Sequence, residues 1–411
     1  MNPDSRQGQP LWPLYAAIVL SSMPGTIILP MMPALGEKFG ASAMELGVLF
    51  GIFPLMSAIA APLWGRLSDR LGRRPALIGA LICGAASYAA FAFATSFSGL
   101  VIARALQGLS GSTRGIGFAI VSDISAGPER TTGLGRVSAA MAIGFMLGPL
   151  VGAIFMSDVP GELMSSWRTL LDRPPDGFDH TVPSLLGTTV NLLGLALVLA
   201  GVAETLQPRS PVTQRATAAG TPTRTRVLDF FVMLLLAQFV LSGFIQGTFQ
   251  FSFALWADMG WQWNSRQIAF AFAALGLGFV IAAGGLLKPL GRRLSIERMV
   301  LVGIGIDIAG ILAFVVFRDS PPVAIGGLFL SSLGGAIWAT SLLSMLSRDA
   351  HAHHAGMLMG FANSAGLVGR VLGPPAAGFF AAASGPVVPF LAILASQAVI
   401  LLRAWQLVRR A

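Results

Sequence analysis

The chain has 411 residues, 54% of them hydrophobic and 11% charged, with a mean hydropathy of +0.73. Soluble domains carry about a quarter charged residues, so the composition excludes an ordinary soluble protein and points to an all-α membrane protein with many spans. The net charge of +9 does not point to nucleic acid, because the basic residues sit in short loops between apolar runs.

Twelve apolar runs are each long enough to cross a bilayer, which takes ~20 residues for ~30 Å of hydrocarbon. They begin near residues 12, 44, 75, 97, 134, 185, 228, 265, 299, 321, 356 and 386. The first, from about Leu11 to Pro33, is too long for a cleavable signal peptide. Two polar stretches interrupt the rhythm. Residues 157–184 hold Pro160, Pro174 and Pro175, with Asp172, Asp176 and Asp179; residues 204–227 hold Pro208, Pro211, Pro222 and four arginines. The second reads as a cytoplasmic linker between an N-terminal half, 1–203, and a C-terminal half, 228–411.

Between the second and third runs lies Gly65-Arg66-Leu67-Ser68-Asp69-Arg70-Leu71-Gly72-Arg73-Arg74, which reads as a tight hairpin with glycines at both ends. It returns 219 residues later as Gly284 to Arg293, with Lys288 where Asp69 stood. Gly144-Phe-Met-Leu-Gly148-Pro149 likewise returns 225 residues on as Gly369-Arg-Val-Leu-Gly373-Pro374. Two echoes at nearly one offset argue for a duplicated six-helix unit.

Orientation follows from the basic residues. Of 27 Lys and Arg, nineteen fall on the side of the first hairpin, five on the other side, and Arg104, Arg114 and Arg370 within the runs. The positive-inside rule then places both termini in the cytoplasm, in a plasma membrane or bacterial inner membrane.

The first hairpin matches G-x-L-[SA]-D-[RK]-x-G-R-[RK] at Gly65, Leu67, Ser68, Asp69, Arg70, Gly72, Arg73 and Arg74. In this it resembles the signature loop of the major facilitator superfamily. Arg104-Ala-Leu-Gln107-Gly108 resembles that family's R-x-x-Q-G element. Gly144-x-x-x-Gly148-Pro149-x-x-Gly152 resembles the glycine–proline element of its antiporters, with Ala153 in place of the last glycine. With Ile28 to Pro33, these motifs look like the twelve-helix drug:proton antiporter branch that includes the tetracycline exporters. The resemblance implies twelve transmembrane helices in two pseudo-symmetric six-helix bundles. It also implies a monomer without cofactor or metal that is not an enzyme and exports a small molecule against protons.

The residues themselves nominate candidate sites. An arginine at the bilayer centre costs at least ~2.5 kcal/mol, so Arg104 is expected to face the bundle interior. Asp307 has no Lys or Arg at helical spacing, and an acid removed from water is the natural proton-binding candidate. Gln238, Gln246 and Gln250 share one face of the seventh run, and Asn191, Trp338, Asn363 and Arg370 are further cavity candidates. At the hairpin, Asp69, Arg73, Asp123 and Arg130 are expected to form a charge latch between the halves, with Asp69 placed to gain from a helix dipole. The glycines 144, 148 and 152 would allow close helix packing, with a kink at Pro149.

The branch often carries acids in its first and third spans, where this chain has Ser21 and Ser87. Three arginines against one acid favour an anionic or zwitterionic substrate. The rival readings are a proton-coupled importer of an anionic metabolite or metal chelate, and a non-transporting sensor or assembly factor. Cys83 and the four histidines, three of them His351, His353 and His354 in one short loop, offer no metal-site spacing.

Overall fold

The computed structural model describes residues 11–125, 127–156, 180–206, 230–349 and 355–410. The polar stretch 157–179, the linker beyond residue 206, the loop with His351, His353 and His354, and the Arg130 side chain lie outside the described residues. Everything regular among the described residues is helical. Ten of these helices are long and apolar enough to cross a membrane.

The helices are α1 (Trp12–Ile27), α2 (Met32–Lys38), α3 (Ala43–Leu71), α4 (Arg73–Ala92), α5 (Phe97–Ser110), α6 (Thr113–Ile124) and α7 (Gly127–Met156). They continue as α8 (Thr181–Gly201), α9 (Phe230–Trp261), α10 (Ser265–Ile281), α11 (Leu287–Arg293) and α12 (Ile296–Val316). The last three are α13 (Pro321–Asp349), α14 (Ala355–Ser384) and α15 (Val388–Arg410). Most begin within a few residues of the expected starts; α7 begins seven earlier, at Gly127. Their ends carry local signals. Ser42 and Asn264 close capping boxes with Glu45 and Gln267, and Ser96 and Ser295 accept from the N–H of Gly99 and Arg298.

Two expectations for local structure change. The fourth run is not one helix: it is divided between α5 and α6 by a turn at Gly111 and Ser112. A break inside an apolar layer frees backbone carbonyls that need donors. Here the Trp64 indole N–H of α3 donates to Leu109 O at 2.7 Å, and Gly108 O takes both the Gly111 N–H at 3.0 Å and the Ser57 hydroxyl of α3 at 3.1 Å. The first hairpin also differs. Helix α3 continues through Gly65 to Leu71, and the whole reversal rests on Gly72, whose φ of 113° suits glycine. A Cβ on Gly65 would meet open space, so Gly65 forms no part of a turn.

The internal echo is visible in packing as well as in sequence. A Cβ on Gly144 or Gly148 of α7 would run into the carbonyls of Val19 and Met23 on α1. A Cβ on Gly369 or Gly373 of α14 would run into those of Val240 and Phe244 on α9. Val240 and Phe244 each lie 221 residues beyond Val19 and Met23. The glycine–proline elements therefore seat one helix against another in the same way in both parts of the chain. The hairpins are less alike. A π-helical stretch, Ala282–Leu286, leads into α11, and Gly291 lies inside α11 where Gly72 made a turn.

Residues 11–206 and 230–410 meet along α3 with α14 and along α7 with α10. Gly47 and Gly51 let α3 approach Pro374, Val371 and Pro375, and Gly378 sits against Ala43 and Met44. Gly276 of α10 sits against Met146 of α7. The α3–α14 contacts use the end of α3 remote from Gly72. At that far end one apolar core runs across both parts, joining Met31, Leu35, Leu49 and Phe50 to Phe251, Phe253 and Phe272. At the hairpin end the cores are separate: Leu14, Leu77, Ile120 and Val137 belong to one, Ala282, Ala336 and Ile337 to another. Buried apolar packing is thus continuous between the two parts at the far end and separate at the hairpin end.

Candidate functional site

The charges at the hairpin form a connected cluster. Arg73, the first residue of α4, donates to Asp69 Oδ1 at 2.6 Å, to Asp123 Oδ2 at 2.8 Å and to Ser68 Oγ at 3.1 Å. These bonds tie α3, α4 and the end of α6 together. All lie within residues 11–206, so among the described residues the latch joins helices of one half and not the two halves. Arg70 and Arg66 are exposed.

The carboxylate at the dipole of α4 is not Asp69, as expected, but Glu204. Gly72 has no side chain with which to cap α4. Glu204 accepts instead from the backbone N–H of Arg73 at 2.9 Å and of Arg74 at 3.1 Å. An anion there satisfies two orphan donors and faces the positive end of the helix. Arg74 completes the exchange by donating to Leu199 O of α8 at 2.8 Å. Sequence reasoning missed Glu204 because it stands 131 residues from its partner, at the start of an apparent linker.

Within the apolar layer the two leading candidates are held apart. Arg104 of α5 is 3% exposed, donates to Gln107 Oε1 at 2.9 Å and lies over the Phe53 ring at 4.9 Å. Its Nε and the Gln107 Nε2 have no hydrogen-bond partner among the described residues. The charge is met by a side-chain amide and an aromatic face, with no carboxylate in salt-bridge range among the described residues.

Asp307 of α12 is 4% exposed and belongs to the other part of the chain. It accepts from Ser331 Oγ at 2.5 Å and from the Trp338 indole N–H at 2.9 Å, both on α13. Gln397 of α15, completely buried, faces the same carboxylate. Glycines make this approach possible: a Cβ on Gly334 would collide with the Asp307 backbone, and one on Gly303 with Trp338. The acid is thus surrounded by neutral donors, and no cation is paired with it among the described residues. Trp338, nominated as a cavity residue, is a buried partner of Asp307. Ser331 and Gln397 were not nominated, since nothing in the sequence places them beside residue 307.

Asn191 is also structural, 3% exposed, bonded to Gly187 O and set against Gly84 of α4. Gln238 is buried, Gln250 half-buried, and Gln246 and Asn363 are exposed. Ser21 bonds Thr113 of α6 at 3.2 Å, whereas Ser87 is buried and bonds its own helix at Gly84 O. Arg370 of α14 and Arg114 of α6 behave unlike Arg104. Both are half-buried, and neither makes a hydrogen bond or ion pair with any described residue. Among the described residues no metal-binding cluster of His, Cys, Asp and Glu exists.

The Major Facilitator Superfamily model matches residues 14–374. The chain is 26% identical over 365 residues to the class B tetracycline resistance protein of Escherichia coli, covering 86% of this chain and 85% of that protein. It is 27% identical over 407 residues to major facilitator superfamily domain-containing protein 10 of Mus musculus, covering 88% and 84%. Among solved structures, the human organic anion transporter MFSD10 superposes with a TM-score of 0.69 at 22% identity, covering 98% of this chain and all of that one. A D-xylose–proton symporter superposes with a TM-score of 0.75 at 16% identity, covering 96% and 95%.

Proposed function

The chain belongs to the Major Facilitator Superfamily, and on that footing we propose that it is a proton-coupled exporter of a small organic molecule, working by alternating access. It is a membrane transporter, not an enzyme. In this reading twelve spans form two six-helix halves, 1–203 and 228–411, joined by the linker 204–227. Span four is α5 with α6, and α14, thirty residues long, supplies span eleven. The nineteen basic residues on the hairpin side make that side cytoplasmic. The continuous apolar packing at the far end and the separate cores at the hairpin end support reading this as a state open to the cytoplasm.

The observation that carries the coupling is Asp307: a buried acid among Ser331, Trp338 and Gln397, with no cation to hold it ionised. Such a group can exchange a proton without first breaking an ion pair. Protonation alters how α12 engages α13 and α15, and only a difference in affinity between states can move the equilibrium. The class B tetracycline resistance protein supports export as the direction. The organic anion transporter MFSD10 and the three intramembrane arginines support an anionic cargo.

The test is substrate-driven proton flux in liposomes. Asp307→Asn should bind substrate but lose the flux, because Asn can accept the Trp338 indole N–H on its one oxygen and donate its NH2 to the Ser331 hydroxyl, yet cannot ionise. Full coupling in that variant would sink the role given to Asp307.

A further inference from the structure

Arg104 carries its charge into a part of the molecule that holds no acid. The residue is 3% exposed, and Gln107 beside it 1%. Its helix, α5, packs on α3 and α4, and α4 packs in turn on α1 and α8. Helices α1, α4, α5 and α8 contain no Asp or Glu. The two acids of α3 stand at its ends and are engaged there: Glu45 closes the capping box with Ser42, and Asp69 is paired with Arg73. Asp123, at the end of α6, is bonded to Arg73 as well. No change of rotamer within these helices brings a carboxylate to Arg104. A charge taken out of water without a partner is strongly disfavoured, and the Phe53 ring, 4.9 Å from the guanidinium carbon, offsets only part of that.

What Arg104 and Gln107 present together is a set of donors. They stand three apart on α5, hence on one face, and Arg104 Nη1 donates to Gln107 Oε1 at 2.9 Å. That bond takes up the amide oxygen, so the amide is left with its N–H groups to offer. Gln107 Nε2 and Arg104 Nε are both buried without a hydrogen-bond partner among the described residues, and they belong to two groups already in contact. Gly108 fixes the wall beside them. A Cβ there would strike Phe53 O and Met56 Cβ, so α5 lies close enough to α3 to keep the Phe53 ring over Arg104. One buried cation and two orphan donors, with no acid in reach, call for a partner that is both an anion and an acceptor.

We propose that Arg104 and Gln107 form a binding site for one small anion, a halide or a carboxylate group, which accepts from Arg104 Nε and Gln107 Nε2 and supplies the counter-charge that the surrounding helices lack. The site goes beyond the proton-coupled export reading and does not involve Asp307, which lies in the other part of the chain. Two sources share this chemistry: a dissolved anion, and the carboxylate of an organic cargo. Hydrogen bonds between ionised partners are the strong ones. Either occupant therefore stabilises the conformation in which Arg104 is buried against any in which water reaches the guanidinium.

The experiment is thermal unfolding of the purified full-length protein in phosphatidylcholine nanodiscs, with chloride, bromide, formate or benzoate replacing methanesulfonate at constant pH and ionic strength. A saturable rise of the midpoint with at least one of these anions is expected. Gln107→Leu should raise the half-saturating concentration tenfold or more, and Arg104→Gln should abolish the rise. Gln107→Glu places a carboxylate on Arg104 from within the chain, so it should keep the midpoint high and make it independent of the added anion; this variant serves even where Arg104→Gln does not fold. Saturation by chloride as well as formate identifies a dissolved anion, and saturation by the carboxylates alone identifies the cargo's carboxylate. A wild-type midpoint that no anion moves overturns the proposal, since water then suffices for both donors. The same saturable rise in Gln107→Glu as in the wild type also overturns it, since the anion then binds elsewhere. Proton flux is not part of the readout, so a failure here is distinct from a failure of the role given to Asp307.

Discussion

Glu204 accepts the backbone N–H of Arg73 at 2.9 Å, joining the exit of α8 to the entrance of α4. The same carboxylate reaches Arg74 N and the backbone N–H groups of Thr205 and Leu206. Loss of a capping acceptor costs about 0.5–2 kcal/mol. Glu204→Ala should therefore lower the thermal midpoint of the purified protein, and Glu204→Gln, which keeps an oxygen but not the charge, should lower it less. Equal midpoints for wild type and Glu204→Ala would show that the cap contributes nothing.

The two glycines of the first hairpin should respond in opposite directions. Gly65 is helical with open space where a Cβ would go, so Gly65→Ala should be neutral or stabilise by up to about 1 kcal/mol. Gly72→Ala should destabilise, because the residue sits at a φ of 113° and its Cβ would strike the Glu204 carboxylate. Thermal unfolding of the two variants side by side gives the answer, and the same sign for both would contradict the geometry.

At the break between α5 and α6, Trp64 donates to the Leu109 carbonyl, and Ser57 to the Gly108 carbonyl, which also takes the Gly111 N–H at 3.0 Å. Leaving a buried acceptor unsatisfied costs about 1–3 kcal/mol. Trp64→Phe should therefore destabilise, Ser57→Ala should destabilise less, and the double variant should lower transport velocity as well. Unaltered stability in both single variants would mean that other donors reach those carbonyls.

The far-end contact makes a packing prediction. Gly378 lies against the backbone of Ala43 and Met44, across the interface between the two parts of the chain, and a Cβ there would meet the Ala43 carbonyl. Gly378→Val should therefore push α3 and α14 apart at this end, lowering the thermal midpoint and slowing transport. A Gly378→Val protein with the wild-type midpoint and rate would show that this seam need not be close.

Gly334 faces the Asp307 backbone so closely that a Cβ has nowhere to go. Overpacking of this kind costs about 1–3 kcal/mol, so Gly334→Ala should destabilise and should also impair proton flux by moving Trp338 away from Asp307. Normal flux in a folded Gly334→Ala protein would show that the Trp338 contact does not matter to coupling.

Much of this was legible in the sequence. Span starts could be placed from hydropathy because each run had to be apolar over a bilayer's length. The glycines at 144, 148, 369 and 373 announced close packing because only the absence of a side chain permits it. The sequence was silent where distant parts of the chain meet. Glu204 is an ordinary acid until Gly72 leaves α4 without a cap. Ser331 and Gln397 are unremarkable polar residues until α13 and α15 bring them to Asp307. The division of span four was hidden because Gly111 and Ser112 lie in an otherwise uniform run, and the donors that stabilise it stand on α3.

The matched glycine contacts, Gly144 and Gly148 on α1 and Gly369 and Gly373 on α9, have an ancestral meaning. What the two parts of the chain share is a joint between the first and a later helix of each, copied whole. Around that joint the copies differ: Lys288 stands opposite Asp69, only one hairpin carries a π-helical stretch, and Gly291 lies in a helix where Gly72 makes a turn. The joint is common to both copies, whereas the buried acid Asp307 stands in one copy and the divided span of α5 and α6 in the other.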